Sequence, residues 1–106
     1  MEEQPDLSEH SELIERIYLS HRLRNRAFAQ MKVINRKLEA LLIRQSRARA
    51  NRLFHFSEAI QLKINSLQEV KKHLLLFALE KHNEIDVGQD QLDELTGWNV
   101  DLELLY

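Results

Sequence analysis

The chain's 106 residues, 12.6 kDa in all, allow one domain of ordinary size and exclude a multidomain enzyme. Its two glycines and one proline are far fewer than the roughly seven and five per cent of an average protein, too few turn residues for a sandwich, a barrel or an α/β sheet. The absence of cysteine excludes disulfides, thiolate catalysis and zinc sites that use sulfur.

The charge is distributed unevenly, although the formal net charge is only −2. Residues 1–15 carry six acids and no base, residues 16–52 carry eleven bases and one acid, and residues 53–106 carry four bases and ten acids. No apolar run approaches the roughly 18 residues of a membrane span, and the acidic start is unlike a signal peptide. We therefore expect a soluble intracellular protein of the cytoplasm or nucleus.

A long helix is predicted from about residue 7. Asp6, with Glu9 three residues later, is a typical helix start, because both carboxylates favour the positive end of the helix dipole. Neither glycine nor proline occurs between Pro5 and Gly88, so this stretch forms either one very long helix or two long ones.

Apolar residues recur every seven positions in both halves of this stretch, as in coiled coils. In the first half the rows are Leu13, Ala27, Ile34, Leu41 and Ala48; Ile17, Met31 and Leu38; and Ile14, Phe28 and Leu42. In the second half they are Leu53, Ile60, Leu67 and Leu74; Phe56, Val70 and Phe77; and Ile64 and Ala78. The seven-residue spacing of the first half, if it is continued along the chain, falls one residue out of step with the spacing of the second half. The mismatch lies within residues 45–52. This favours a turn between antiparallel helices, and the alternative is a continuous helix that absorbs the slip in its supercoil.

The second helix is expected to end near residue 85, with Gly88 as a left-handed stop. A short helix should then span Asp90 to Thr96 and be closed by Gly97. Residues 98–104 alternate apolar and polar side chains, which indicates either a strand with one buried face or a tail laid over the helices.

The predicted fold class is all-α: a helical hairpin, or coiled coil, of two long antiparallel helices, followed by a short helix and an extended C-terminal tail. The expected boundaries are 7–46 for helix one, 46–52 for the turn, 53–85 for helix two and 90–106 for the short helix and tail, within one domain of residues 1–106.

No residue can be assigned to catalysis, to a cofactor or to a metal. The pairs Glu69 with His73 and His82 with Asp86 have the spacing of surface contacts along a helix, and the patterns of zinc proteases and di-iron bundles are absent. Two well-separated glycines provide no phosphate loop. We therefore expect a protein that is not an enzyme and has no cofactor.

The chain has more apolar side chains than two packed helices can bury, and this apolar surplus indicates a protein partner. Residues 74–79 are apolar on every side, and a helix of this kind belongs inside a larger assembly. The predicted function is a non-catalytic coiled-coil or helical-bundle subunit that completes its core with another chain, in a homodimer or a multisubunit assembly. The predicted partner face comprises Leu53, Phe56, Ile60, Ile64, Leu67, Leu74, Leu75 and Phe77 with Met31, Ile34, Leu38 and Leu41. The predicted tail anchor, on this chain or on a partner's sheet edge, comprises Trp98, Val100, Leu102 and Tyr106.

Two alternatives remain open. The tail could cover the surplus and give a monomeric bundle of three elements. The basic segment 16–52 could instead bind nucleic acid, although its bases scatter over several helix faces. The phosphate-binding residues would then be Arg22, Arg24, Arg26, Arg44, Arg47, Arg49 and Arg52.

Overall fold

The computed structural model describes residues 8–97, which contain a 3-10 turn over Ser8–His10 and two α-helices, α1 (Ser11–Ala50) and α2 (Phe54–Thr96). These residues include no strand, which confirms the all-α class. Contacts divide the chain into two compact units: unit 1 comprises residues 1–25 and 78–106, and unit 2 comprises residues 26–77. Each unit contains a segment of both helices and has its own buried cluster.

Unit 2 is a helical hairpin that turns at Asn51–Leu53. The amide of Leu53 donates to the carbonyl of Ala48 at 2.8 Å, and the amide of Arg52 donates to the carbonyl of Arg49 at 3.1 Å. These two bonds form a Schellman motif, in which the residue after the helix cap adopts a left-handed conformation. Arg52 is that residue, with φ of 60°, so the predicted hairpin forms without a glycine at its turn.

The interior of unit 2 follows some of the predicted seven-residue rows, whereas the rows that contain Phe28 and Leu42, and Phe56, Val70 and Phe77, are exposed. Ala48, Ile60 and Ile64 form a buried cluster against which Leu38 and Leu41 pack. Along α1 the inner positions alternate in steps of three and four residues, the spacing that keeps one stripe of a helix against its partner. Those from Ala27 onward are Ala27, Met31, Ile34, Leu38, Leu41, Gln45 and Ala48.

One polar layer interrupts this apolar interior. The Gln45 side chain is buried and donates to Gln61 Oε1 at 2.7 Å and to the carbonyl of Ser57 at 3.4 Å. Gln61 in turn donates to Asn65 at 2.9 Å. Because a buried amide left without partners is costly, this layer fixes the register of the two helices near the turn.

In unit 1 the two helical segments also run antiparallel. Its buried cluster consists of Ile17, Ile85 and Leu92, against which Leu13, Ile14 and Tyr18 pack. The hydroxyl of Ser20 donates to Glu84 Oε2 at 3.0 Å and so joins the two segments beside this cluster.

Gly88 lies within α2 and does not end it, so the prediction of a stop there is wrong. A Cβ atom at this position would lie 2.7 Å from Cγ1 of Ile17, which is closer than side chains tolerate. The glycine therefore allows the two segments of unit 1 to approach closely, and this packing compensates for the weak helix propensity of glycine.

The other predicted boundaries shift for related reasons. There is no separate short helix, because α2 continues from residue 85 through Thr96. The helix ends just before Gly97, whose amide donates to the carbonyl of Asp93 at 2.9 Å. Gly97 has a φ of 69°, as expected for a glycine cap. Helix α1 extends to Ala50, since the alanines and arginines before the turn are good helix formers. The predicted start at residue 7 and the tail, with Trp98, Val100, Leu102 and Tyr106, lie outside the described residues.

Candidate interaction surface

Large apolar side chains remain exposed on both helices. A helix that packs against a single neighbour buries one stripe, and side chains outside that stripe stay in solvent. Within residues 8–97, those with 37 to 69% of their surface exposed are Leu19, Phe28, Val33, Leu42, Ile43, Leu53, Phe54, Phe56, Leu62, Val70, Leu75, Leu76, Phe77, Leu79, Val87 and Leu95.

The twelve residues predicted for the partner face fall into two groups. Eight of them form the interior of unit 2, where the chain's own helices meet, with Met31, Ile34, Ile60 and Ile64 buried and Leu38, Leu41, Leu67 and Leu74 half-buried. Four of them are exposed: Leu53, Phe56, Leu75 and Phe77. The structure therefore places most of the predicted set inside the hairpin and leaves the smaller group on its surface.

A groove in unit 2 combines an apolar floor with a basic rim. We call it the basic groove, and its volume is about 620 Å³. Lys37, Ala40, Leu41 and Arg44 of α1 and Leu62, Lys63, Ser66 and Leu67 of α2 line it. Three of these eight side chains are cationic and none is acidic.

A second, smaller groove of about 280 Å³ lies beside it in unit 2. It is lined by Gln30, Val33, Ile34, Val70 and Leu74. Gln30 precedes Lys37 by seven residues, and Val70 follows Lys63 by seven. Because seven residues are almost two full helical turns, the two grooves lie on the same side of the hairpin. We call the residues that line both grooves the grooved face of unit 2.

Three exposed residues of this region were not assigned to the partner face from the sequence: Val33, Leu62 and Val70. Leu62 is 69% exposed, the largest value among the exposed apolar side chains of residues 8–97. Val70 shares its seven-residue row with Phe56 and Phe77, and that row could have identified it. Val33 and Leu62 lie outside the rows, so only the packing of the two helices shows that they border the same grooves.

Beside a groove of about 480 Å³, whose lining includes Leu19, Leu23 and Val87 and the cations Arg16 and Lys81, unit 1 contains a polar cluster around Arg24. Its Nη1 atom lies 3.0 Å from Nδ1 of His82, and its Nη2 atom lies 3.3 Å from Nδ1 of His21. A guanidinium group only donates hydrogen bonds, so both imidazoles accept at Nδ1. His21 is 2% exposed, and the cluster therefore connects the two helical segments of unit 1 near its buried face.

The described part of unit 1 is acidic, whereas unit 2 is basic. Residues 8–25 and 78–97 of unit 1 hold nine acids and four bases, and unit 2 holds three acids and eleven bases, so the formal net charges are −5 and +8. On α2, Glu80 and Glu94 lie seven residues before and after Val87, and all three are exposed. We call this stripe, with the exposed Asp90 beside it, the acidic stripe of unit 1.

The seven arginines considered for phosphate binding are divided between the units. Arg22 and Arg24 belong to unit 1, and the other five belong to unit 2. Arg24 binds the two histidines, and Arg49 donates to the Ser57 hydroxyl at 3.3 Å. The remaining exposed members in unit 2 are Arg26, Arg44, Arg47 and Arg52.

The histidine pairs form the predicted surface contacts. His73 lies 3.4 Å from Glu69, and His82 lies 3.5 Å from Asp86, with all four side chains more than half exposed. Among residues 8–97 no group of three or more potential ligands could hold a metal ion. Over the same residues, neither helix has a segment long and apolar enough to cross a membrane.

Comparisons of the chain with protein-family models, with curated proteins and with solved structures found no match.

Proposed function

We propose that this chain is a non-catalytic helical interaction subunit whose exposed apolar side chains are covered by helices of another chain. That chain is either a second copy or a different helical protein. The observation that supports the proposal is the number of large apolar side chains left in solvent on both helices of the described residues.

The grooved face of unit 2 is the part of this surface best suited to a helix. Leu62 and Val70 of α2 are 69% and 47% exposed, and Val33 of α1 is 48% exposed. Complete burial of a Val, Leu or Phe side chain contributes about 1.5–3 kcal/mol. An apolar groove that is bordered by charged side chains is the arrangement found at many interaction sites.

Phosphate binding is the second candidate function, and the charge of +8 in unit 2 favours it. Phosphate contacts alone, however, give no role to the exposed apolar side chains between the bases. A salt titration separates the two functions, because binding to phosphates weakens steeply with salt and apolar contact does not.

A photo-crosslinking experiment tests the proposal. The photoreactive amino acid p-benzoylphenylalanine replaces Val70 on the grooved face, and in a matched variant it replaces Lys72, which is exposed on the same helix outside both grooves. In cells that produce the protein, we expect Val70 to crosslink to a defined polypeptide and Lys72 to crosslink weakly. Peptide mass spectrometry of the product then distinguishes a second copy from a different chain.

Equal crosslinking at the two positions would contradict the proposal. A product at position 70 that contains nucleic acid without a second polypeptide would favour the phosphate-binding function in its place.

A further inference from the structure

We infer that the partner of unit 2 is a different polypeptide, which lays an acidic amphipathic helix along the grooved face. The inference rests on the proposed function and specifies the chemistry of its partner. Its basis is that the basic groove combines an apolar floor with three cations that form no ion pair within residues 8–97.

The three cations of the basic groove are exposed and unneutralised. Lys37, Arg44 and Lys63 lie in solvent, and none of them forms an ion pair or a side-chain hydrogen bond in the described part of the chain. An acidic segment of another chain would supply the missing opposite charge. Unit 2 does not supply it, because its three acids line neither groove: Glu39, Glu58 and Glu69.

The groove of unit 1 differs in this respect. Its Lys81 lies 3.2 Å from Glu84, and both residues line that groove. The charge of this lysine is therefore balanced within the chain, and the inference applies to unit 2 alone.

The apolar floor of the basic groove favours a helix over a phosphate backbone. Leu41, Leu62 and Leu67 lie between the cations, and Leu62 is 69% exposed. A phosphate backbone would meet the cations but leave these leucines in water. An amphipathic helix covers the leucines with its apolar stripe and places acids beside that stripe against the rim.

The smaller groove sets the length of this helix and the position of its acids. Gln30 in the smaller groove and Arg44 in the basic groove lie 14 residues apart on α1, a distance of about 21 Å, or four helical turns. No charged side chain lines the smaller groove. We therefore expect the bound helix to carry its acids in the half over the basic groove and to be apolar in the other half.

A second copy is a poor occupant of the grooved face. In a two-fold dimer both subunits contribute the same patch. Two grooved faces would then meet as two basic surfaces, and like charges across an interface oppose binding. The charge of +8 in unit 2 therefore favours a partner of different sequence.

Two synthetic helical peptides of about 18 residues test the inference. Both have leucine spaced alternately three and four positions apart. The other positions are glutamate and alanine in the first peptide and lysine and alanine in the second. Fluorescence anisotropy of the labelled peptides measures binding at low salt. We expect the wild-type protein to bind the glutamate peptide at least about tenfold more tightly than the lysine peptide.

A charge reversal in the basic groove should reverse this preference. In the variant K37E/R44E/K63E the rim is acidic, so the lysine peptide should bind at least about tenfold more tightly than the glutamate peptide. The control variant K32E/R36E/K72E changes the net charge equally, at exposed cations of unit 2 that line neither groove, and should keep the wild-type preference. Circular dichroism verifies that both variants keep their helices.

A substitution in the floor distinguishes a seated helix from general charge attraction. Leu62→Ser removes the most exposed apolar side chain of the groove and should weaken the glutamate peptide by about tenfold. Ile43→Ser is the matched control, because Ile43 is 55% exposed and lines neither groove. It should leave the binding unchanged.

The inference is overturned if the wild-type protein binds neither peptide or binds both equally. It is also overturned if the control variant loses the preference as the groove variant does, or if Leu62→Ser has no effect. A crosslink from position 70 to a second copy of the chain, or to a segment without acids, would overturn the acidic partner and retain the proposed function. Absence of any polypeptide crosslink at position 70 would remove both.

Discussion

The two units are made from the same two helices and differ in what they place inside and outside. In unit 2 the interior is mostly large and apolar, with one amide layer at Gln45, and the outside combines grooves with bases. In unit 1 the helices approach at Gly88, polar side chains join them, and the outside is acidic. A seven-residue pattern therefore fixes how the helices meet, whereas the residues outside it determine the surface that each unit presents to solvent.

The largest expected effect on stability comes from a substitution in the interior of unit 2, which is compared with a substitution on its grooved face. Ile64→Ala removes a side chain that is 2% exposed and leaves a cavity, so we expect a loss of about 3 kcal/mol in the free energy of unfolding. Leu62→Ala, two residues earlier and 69% exposed, should cost less than about 0.5 kcal/mol in the monomer. Urea unfolding of dilute protein measures both.

Similar losses for Leu62→Ala and Ile64→Ala would contradict the distinction between interior and surface. When a partner covers the grooved face, Leu62→Ala should additionally weaken that association.

The next largest effect on stability tests the close packing of the two helical segments of unit 1 at Gly88. Gly88→Leu forces a side chain into the space occupied by Ile17, so we expect a loss of about 2–3 kcal/mol and a lower melting temperature. Ala59→Leu is the matched control, because it introduces the same residue at an exposed position of the same helix. A neutral Gly88→Leu variant would show that the glycine is not needed for packing.

A smaller effect of opposite sign is expected at the turn of unit 2. Arg52 adopts a left-handed conformation that costs a residue with a side chain about 1–2 kcal/mol. Arg52→Gly relieves this cost but increases the conformational entropy of the unfolded chain, so we expect a net gain of about 0.5–1 kcal/mol. Thermal unfolding measures it, and a lower melting temperature would argue against the left-handed turn.

The seven-residue rows predicted that several side chains face another helix, because such rows depend only on the periodicity of the helix, but they did not predict which helix covers them. Ile17, Met31 and Leu38 occupy inner positions as their row requires. Gly88 was misassigned, since a lone glycine is compatible both with a helix end and with close packing, and only Ile17 opposite it decides between them.

The surface was harder to predict than the interior. Two apolar stripes on one helix look alike in a sequence, and which of them the chain's own second helix covers depends on tertiary packing. For that reason Ile60 and Ile64 were assigned to a partner although they are buried within unit 2, and Leu62 between them was omitted. The difference in charge between the units was visible in outline as three blocks along the chain.

The most direct test of the central claim measures how well solvent reaches the methyl groups of the grooved face. A soluble paramagnetic agent added to the purified protein broadens the NMR signals of exposed methyl groups. We expect Leu62 and Val70 to be protected when the protein is bound to the polypeptide that crosslinks at position 70, while Ile43, which is 55% exposed and lines neither groove, is broadened. Equal broadening of all three in that complex would show that the grooved face remains in solvent and would contradict the claim that another chain covers it.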